Sequence, residues 1–307
     1  MKNNHNLLMK MKNLEKFSGA IKRCVAIAMA SMLFATTGFS LDTHSVKAQE
    51  VSSSADKIEV PETSKDAFKK YEKISGIGED TILGADFTYY QQCVNPKNPE
   101  WKKTYKDYMS QPLDDIFEYV QEQGINTITL KVAVDPTEND NYLSLNEAMK
   151  TLKAVKQSKA KIKTNLVLLY SDSMTYANKQ SLPNGWTKED AVKEAQDYTT
   201  EVIAKLKAED IAPSIITIGN EVNCNFLDIK KEWDSFVGMA SIAEIIKKND
   251  IKVALSLSKP ENLQWLIEQF GYAKVDYDYL GVNLYPDDET NSYVENLKKI
   301  VEQNAPN

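Results

Sequence analysis

From residue 81 onward the chain repeats one pattern. Short runs rich in β-branched and apolar residues, at 81–87, 126–134, 163–170, 214–218, 252–257 and 279–284, alternate with longer stretches at 113–123, 145–159, 188–209, 232–248, 260–270 and 292–302. The short runs predict strands. In the longer stretches apolar residues recur at helical period, which predicts amphipathic helices. Gly124 supplies a stop after the first helix. The strand runs read as nearly continuous in apolar residues, as in parallel strands covered on both faces, and strand–helix repetition predicts βαβ units. The fold expected is α/β, of the (β/α)8 TIM-barrel type, with about six of the eight β/α units present: six units of about 37 residues fit here, whereas a whole barrel runs to about 250. A doubly wound open sheet is the alternative. Against it, the first strand is not followed by a Gly-rich phosphate turn, because Gly84-Ala85-Asp86 is no dinucleotide fingerprint.

The chain before this repeat has a different character. Lys2, Lys10, Lys12, Lys16, Lys22 and Arg23 precede a 16-residue apolar run from Cys24 to Phe39, and a polar segment follows, ending Val46-Lys47-Ala48. Basic, apolar and small-residue segments in that order predict a secretory signal peptide over residues 1–48, cut after Ala48. The run is shorter than the roughly 20 residues that span a bilayer; an uncleaved anchor is the alternative. Residues 49–78 are polar, with Ser and Lys clusters, and read as a linker. The barrel-like domain is expected over 79–307, in a secreted, extracellular protein.

Composition narrows the chemistry. The chain has 37 Lys and Arg against 44 Asp and Glu, a net of −7, and removing residues 1–48 leaves 30 against 42, a net of −12. An acidic surface repels polyanions and suits a neutral substrate, so nucleic acid is not expected as a partner. The two histidines are His5 and His44. Beyond residue 44 there is no imidazole for a Ser-His-Asp or Cys-His engine or a His-ligated zinc site, and acid–base work falls to carboxylates, Tyr, Lys or Cys. Cys93 and Cys224 remain after cleavage, in an oxidising compartment; a bond between them and two unpaired thiols are both open. Neither a cofactor nor a metal is expected, although Asp287-Asp288-Glu289 could be read as a calcium loop as well as a solvated one.

In a parallel barrel the active site lies where strands end at the C-terminal face. Strand one ends in Asp86, strand three in Tyr170-Ser171-Asp172, strand four in Gly219-Asn220-Glu221 and strand six in Tyr285-Pro286. Carboxylates, amides and tyrosines at one mouth suit sugar binding and cleavage between paired carboxylates. Asn220 is placed to hydrogen-bond a sugar 2-hydroxyl and Glu221 to protonate the leaving oxygen. Asp86 and Asp172 are candidate ligands for substrate hydroxyls, or acids that cap loops. Trp186 borders the cleft or packs at a helix start, and Trp233 and Trp265 read as outer-layer core.

Gly84-Ala85-Asp86, Gly124-Ile125-Asn126-Thr127-Ile128, Tyr142-Leu143-Ser144-Leu145-Asn146, Tyr170-Ser171-Asp172, Pro183-Asn184-Gly185-Trp186, Asp197-Tyr198-Thr199, Ile218-Gly219-Asn220-Glu221 and Tyr285-Pro286 occur in that order. Together they resemble the endo-β-1,4-galactanases of glycoside hydrolase family 53, a family of retaining (β/α)8 glycosidases, from about Leu83 onward. The resemblance implies Glu221 as general acid/base, with Asp86, Asp172, Trp186, Asn220 and Tyr285 as substrate-binding residues. The family's nucleophile is a Glu ending strand seven, expected beyond Asn307. The chain departs from the family pattern in several places. Thr129-Leu130-Lys131-Val132-Ala133 stands for Arg-Leu-Arg-Val-Trp, and Val167-Leu168-Leu169 for Asp-Phe-His. Met174 replaces a Trp, Ser256 a His and Leu284 a Tyr. The lost Arg removes a donor to the acidic cluster and the lost Trp a face for stacking a sugar. The function expected is a secreted, monomeric glycoside hydrolase acting on β-1,4-galactan or arabinogalactan-type polysaccharide, inactive as this chain alone; a non-catalytic carbohydrate-binding barrel is the alternative.

Overall fold

The computed structural model describes residues 81–107, 110–229, 231–258, 261–285 and 290–304. The signal peptide and linker expected before residue 79, and the Asp287-Asp288-Glu289 segment, lie outside the described residues.

Six strands and the six helices expected with them are present: β1 (Gly84–Asp86), α2 (Ile116–Glu122), β2 (Thr127–Val132), α3 (Leu145–Gln157), β3 (Lys163–Leu168), α4 (Ala191–Ala208), β4 (Ile215–Ile218), α5 (Glu232–Lys247), β5 (Lys252–Ser258), α6 (Leu263–Tyr272), β6 (Tyr279–Asn283) and α7 (Thr290–Asn304). A further short helix, α1 (Tyr90–Val94), follows β1; at five residues it is too brief to show a helical period. Local chemistry sets the ends. Asp115 Oδ1 accepts from the N–H groups of Phe117 and Glu118, capping α2. Past its far end Gly124 takes φ +95°, a left-handed conformation in which a side chain would be strained.

The strands form one parallel sheet in the order β1-β2-β3-β4-β5-β6. The chain therefore winds in one direction, with no reversal of strand order. That excludes the doubly wound alternative, whose order reverses at a switch point, and it is the winding of a barrel. The described sheet is a curled part-barrel with β1 and β6 at its edges.

The strands divide against the sequence reading. Continuous runs are buried in β3 (Leu166-Val167-Leu168), β4 (Ile215–Ile218) and β5 (Val253-Ala254-Leu255), whereas β2 alternates. In β2, Ile128, Leu130 and Val132 are at most 1% exposed, while the intervening Thr127, Thr129 and Lys131 are polar. Leu130 and Val132 join the main core with residues of α3, α4, α5 and α6, as do Leu166, Leu168, Ile216, Ile218, Val253, Leu255 and Leu257 of the other strands, while Ile128 packs in a separate cluster with Phe117 of α2 and Val155 of α3. The intervening polar set lines the lumen. Side chains alternate across a strand, and here the lumen is wired with hydrogen bonds: Thr217 Oγ1 donates to Asn165 Oδ1 at 2.8 Å, and Asn165 Nδ2 donates to Thr129 Oγ1 at 3.3 Å. The lumen is apolar at its bottom, where Ile82, Ile215, Ala254 and Tyr279 meet, and again where Ala133, Leu143, Val167 and Leu169 cluster.

Trp265 packs edge-on against Phe236 at 6.0 Å, as an outer-layer core residue should. Trp233 does not; it is 48% exposed. The buried stripe of α5 runs through Ser235, Met239, Ile242 and Ile246, and Trp233 falls on the opposite side of the helix. Cys93 and Cys224 are free thiols: Cys93 sits beside Tyr105 and Cys224 beside Asn262.

Candidate active site

The exit of β4 is the most constrained turn at the mouth. Gly219 takes φ +65°, and a Cβ there would lie 2.3 Å from Val222 Cγ1, so only glycine fits. Glu221 follows at φ +54° and Asn223 at φ +30°. A non-glycine residue in this region costs about 1–3 kcal/mol and persists only where its surroundings fix it. They do so here: Val222 N–H donates to Ser256 O at 2.9 Å, and Asn223 Oδ1 accepts from Ser258 N–H at 3.0 Å, tying the turn to β5.

The turn delivers Glu221 into the lumen, 4% exposed. Its Oε1 accepts from Tyr285 OH at 2.8 Å and from Asn283 Nδ2 at 2.9 Å, and its Oε2 accepts from the backbone N–H of Ala177 at 3.1 Å. Three elements thus converge on one carboxylate: the β3 exit, the β4 exit and the β6 exit. Glu221 and Tyr285, both expected at the site, are brought together. Burial and the Glu221 carboxylate push the Tyr285 phenol up to about 12, because removing its proton would bury a second negative charge beside the first.

Asn220 is adjacent and 8% exposed. Its Nδ2 donates to Thr175 O at 2.7 Å, and its backbone carbonyl accepts from Gln180 Nε2 at 2.9 Å and Thr175 Oγ1 at 3.3 Å. The amide nitrogen is therefore committed to the neighbouring loop, leaving Oδ1 as its group for a ligand.

Asp86, at the β1 exit, pairs with Lys131 Nζ at 2.7 Å through Oδ2 and accepts from Thr88 N–H at 2.8 Å through Oδ1. Burial works against the charged carboxylate, but the Lys131 ammonium and the Thr88 N–H outweigh it and hold the Asp86 carboxyl below the usual range. Lys131, standing where the family pattern has Arg, thus still supplies a cation to the acidic cluster, though without a planar fork.

Asp172 spends both oxygens on backbone. Oδ1 accepts from Asp135 N–H at 3.0 Å and Oδ2 from Asn184 N–H at 2.7 Å. It ties the β2 exit to the loop before α4, as an acid that organises loops. Trp186 is half-buried and packs edge-on against Tyr198 of α4 at 6.4 Å, which matches packing at a helix start.

Sequence reasoning passed over three groups that hold Glu221 or its turn: Asn283, Ala177 and Gln180. Asn283 had a signal, since it stands two residues before Tyr285 and a strand puts both on one face. The Ala177 N–H and the Gln180 amide act through a long-range loop contact that carries no periodic signature. Among the described residues no cluster of three or more His, Cys, Asp or Glu side chains is gathered to hold a metal, and no helix is long and apolar enough to cross a membrane.

The comparisons with known proteins agree with this geometry. The family model described as Glycosyl hydrolase family 53 matches residues 82–306. An arabinogalactan endo-β-1,4-galactanase of Cellvibrio japonicus is 29% identical over 237 residues, which cover 69% of this chain and 59% of that protein. A probable arabinogalactan endo-β-1,4-galactanase A of Aspergillus fumigatus is 26% identical over 196 residues, 58% of this chain and 53% of that protein. The chain thus spans a little over half the length of these curated relatives. Among solved structures, fungal β-1,4-galactanases superpose with a TM-score of 0.60 at 21% identity, covering 70% of this chain and 69% of theirs. A family 53 catalytic domain from Ignisphaera aggregans gives 0.61 at 21%, covering 70% of this chain and 62% of that one. At that identity the likeness speaks for the fold, a (β/α)8 barrel. With a family match running from residue 82 to 306, most of its 307 residues, the chain belongs to glycosyl hydrolase family 53.

Proposed function

We propose that this chain is the N-terminal part of a secreted, retaining hydrolase of β-1,4-galactan or arabinogalactan, with Glu221 as its general acid/base. The observation that carries the reading is the convergence of three strand exits on the Glu221 carboxylate, at the mouth where barrel enzymes work. The names of the Cellvibrio and Aspergillus relatives supply the substrate class. In the proposed cycle a proton carried by Glu221 passes to the glycosidic oxygen as the bond to the anomeric carbon breaks. A second carboxylate, about 5 Å away, takes the sugar as a covalent ester. Glu221 then removes a proton from water, which releases the sugar with retained configuration. Asn220 Oδ1 faces the substrate as an acceptor, and Asp86, held anionic by Lys131, binds sugar hydroxyls. Tyr285 acts through Glu221 as well as on substrate. Asp172 and Trp186 enter by shaping the loops around the cleft.

The hydrogen-bond partners of Glu221 among the described residues are an amide N–H, a side-chain amide and a phenol; none is a carboxylate. The nucleophile of a retaining enzyme stands about 5 Å from the acid, and the family resemblance assigns it to a Glu ending a further strand beside β6. The second reading is a carbohydrate-binding barrel without turnover. Reducing-sugar release from β-1,4-galactan separates the two. The 307-residue chain is expected to release none, whereas the same chain joined to the seventh and eighth units of the Cellvibrio japonicus relative is expected to turn over. A joined protein that folds, binds galactan and does not cleave it supports the second reading. Secretion has its own test: exported protein should begin at Gln49, and an exported form retaining residue 1 contradicts it.

A further inference from the structure

Between β3 and α4 the chain makes a short loop that is fastened to the β4 exit on both sides of one residue, Tyr176. On one side Thr175 O accepts from Asn220 Nδ2 at 2.7 Å, and Thr175 Oγ1 donates to Asn220 O at 3.3 Å. On the other, Ala177 N–H donates to Glu221 Oε2 at 3.1 Å. The backbone of Tyr176 itself exchanges hydrogen bonds with Lys179 at 3.1 and 2.9 Å, and its carbonyl also accepts from Gln180 Nε2 at 2.8 Å. Met174, two residues earlier, is packed against the lumen cluster of Ala133, Leu143, Val167 and Leu169.

The Tyr176 side chain contrasts with this fixed backbone. It is 48% exposed, and its hydroxyl makes no hydrogen bond among the described residues. A ring of this size stabilises a fold mainly through the area it buries, so a half-exposed ring on a rigid backbone contributes little to folding. Tyr176 lies within electrostatic reach of Tyr89, 44% exposed at the β1 exit, and of Tyr285, 59% exposed at the β6 exit. Three exposed tyrosines therefore stand around the mouth, with Tyr176 next in sequence to the amide that holds Glu221.

We propose that Tyr176 is a substrate-binding residue whose ring is the platform on which one hexopyranose unit of a β-linked polysaccharide stacks, beside Glu221. This rests on reading the mouth as a carbohydrate site. One face of a β-pyranose is lined by C–H groups, and in a galactosyl unit the axial C4 hydroxyl leaves a continuous apolar patch over C3, C4, C5 and C6. Such a face pairs with an aromatic ring by dispersion and by loss of apolar surface to water. The contact needs the ring and not the hydroxyl, and it replaces the stacking face lost where Met174 stands.

The test is calorimetric titration of β-1,4-galactotetraose, cellotetraose and mannotetraose into the full 307-residue chain and into its Tyr176→Ala, Tyr176→Leu, Tyr176→Phe and Tyr176→Trp variants. Circular dichroism reports whether each is folded, and the Leu variant stands in if Ala does not fold. Galactotetraose should bind about tenfold more weakly to the Ala and Leu variants, while the Phe and Trp variants stay within about twofold of the parent. Equal affinity across all variants overturns the platform and leaves the galactan reading standing. A Phe variant as weak as Ala also overturns it, since the hydroxyl and not the ring then matters. Ring-dependent binding of cellotetraose or mannotetraose alone supports the platform and removes the galactan reading. Binding of none of the three by a folded chain overturns both.

Discussion

On the helix side of the sheet, Ile128, Leu130, Leu166, Leu168, Ile216, Ile218, Val253 and Leu255 are at most 1% exposed and touch other apolar side chains. On the lumen side the same strands carry Thr129, Lys131, Asn165, Thr217 and Ser256, several of them joined by hydrogen bonds. One face is held by area removed from water, which tolerates reshaping so long as volume is kept. The other is held by directional contacts, which are costly when half made. The difference separates stability from chemistry. The groups proposed to act on a substrate stand on the lumen side and at its C-terminal mouth, on a scaffold fixed from behind.

The contrast can be broken by mutation, and the largest expected effect is on the helix side. Leu255→Ala removes a side chain 1% exposed in the main core and should lower unfolding free energy by about 2–5 kcal/mol in urea melts. Gly219→Ala comes next. The alanine must hold φ +65° and displace Val222, at about 1–3 kcal/mol for the backbone alone, and it should also weaken oligosaccharide binding, because Glu221 rides on that turn. A Gly219→Ala protein that melts and binds like the parent contradicts the account of the turn.

In the lumen, Thr217→Val leaves Asn165 Oδ1 without its 2.8 Å donor and should cost about 1–3 kcal/mol, although it conserves volume. The smallest effect concerns Lys131→Met and is seen in the pH dependence of stability. The Asp86 carboxyl is held below its unfolded value, so its contribution is present above about pH 4 and is lost as pH falls through the folded value. The pair is partly exposed, which keeps this under about 1 kcal/mol. Lys131→Met should lower stability by that small amount at neutral pH and leave the most acidic end nearly unchanged, which flattens the acid limb of the stability–pH profile. A limb as steep as the parent's removes the pair from the account.

The two faces were also unequally legible in the sequence. All six strands and the helices after them were readable, because the helix-side positions carry apolar residues at a fixed period, and burial against helices demands that period. Lumen positions obey no such rule. Thr, Lys and Asn there satisfy one another across strands, so β2 looked more continuously apolar than it is. Glu221 and Tyr285 were legible from their places at strand ends. The Ala177 N–H was not, since any residue but proline offers one and only the folded loop aims it at Glu221. Asp172 shows the reverse case: its acid is visible in the sequence, but that its two oxygens bind backbone appears only once the loops are placed.

The most direct measurement concerns Glu221 itself, in the chain joined to the seventh and eighth units of the Cellvibrio japonicus relative. Glu221→Gln keeps the shape and removes the proton to be given. Turnover of β-1,4-galactan should fall roughly 10²- to 10⁴-fold, while cleavage of a dinitrophenyl galactoside, whose leaving group needs no proton, should retain the rate of its first step. Equal loss on both substrates, or no loss on galactan, would contradict Glu221 as the acid.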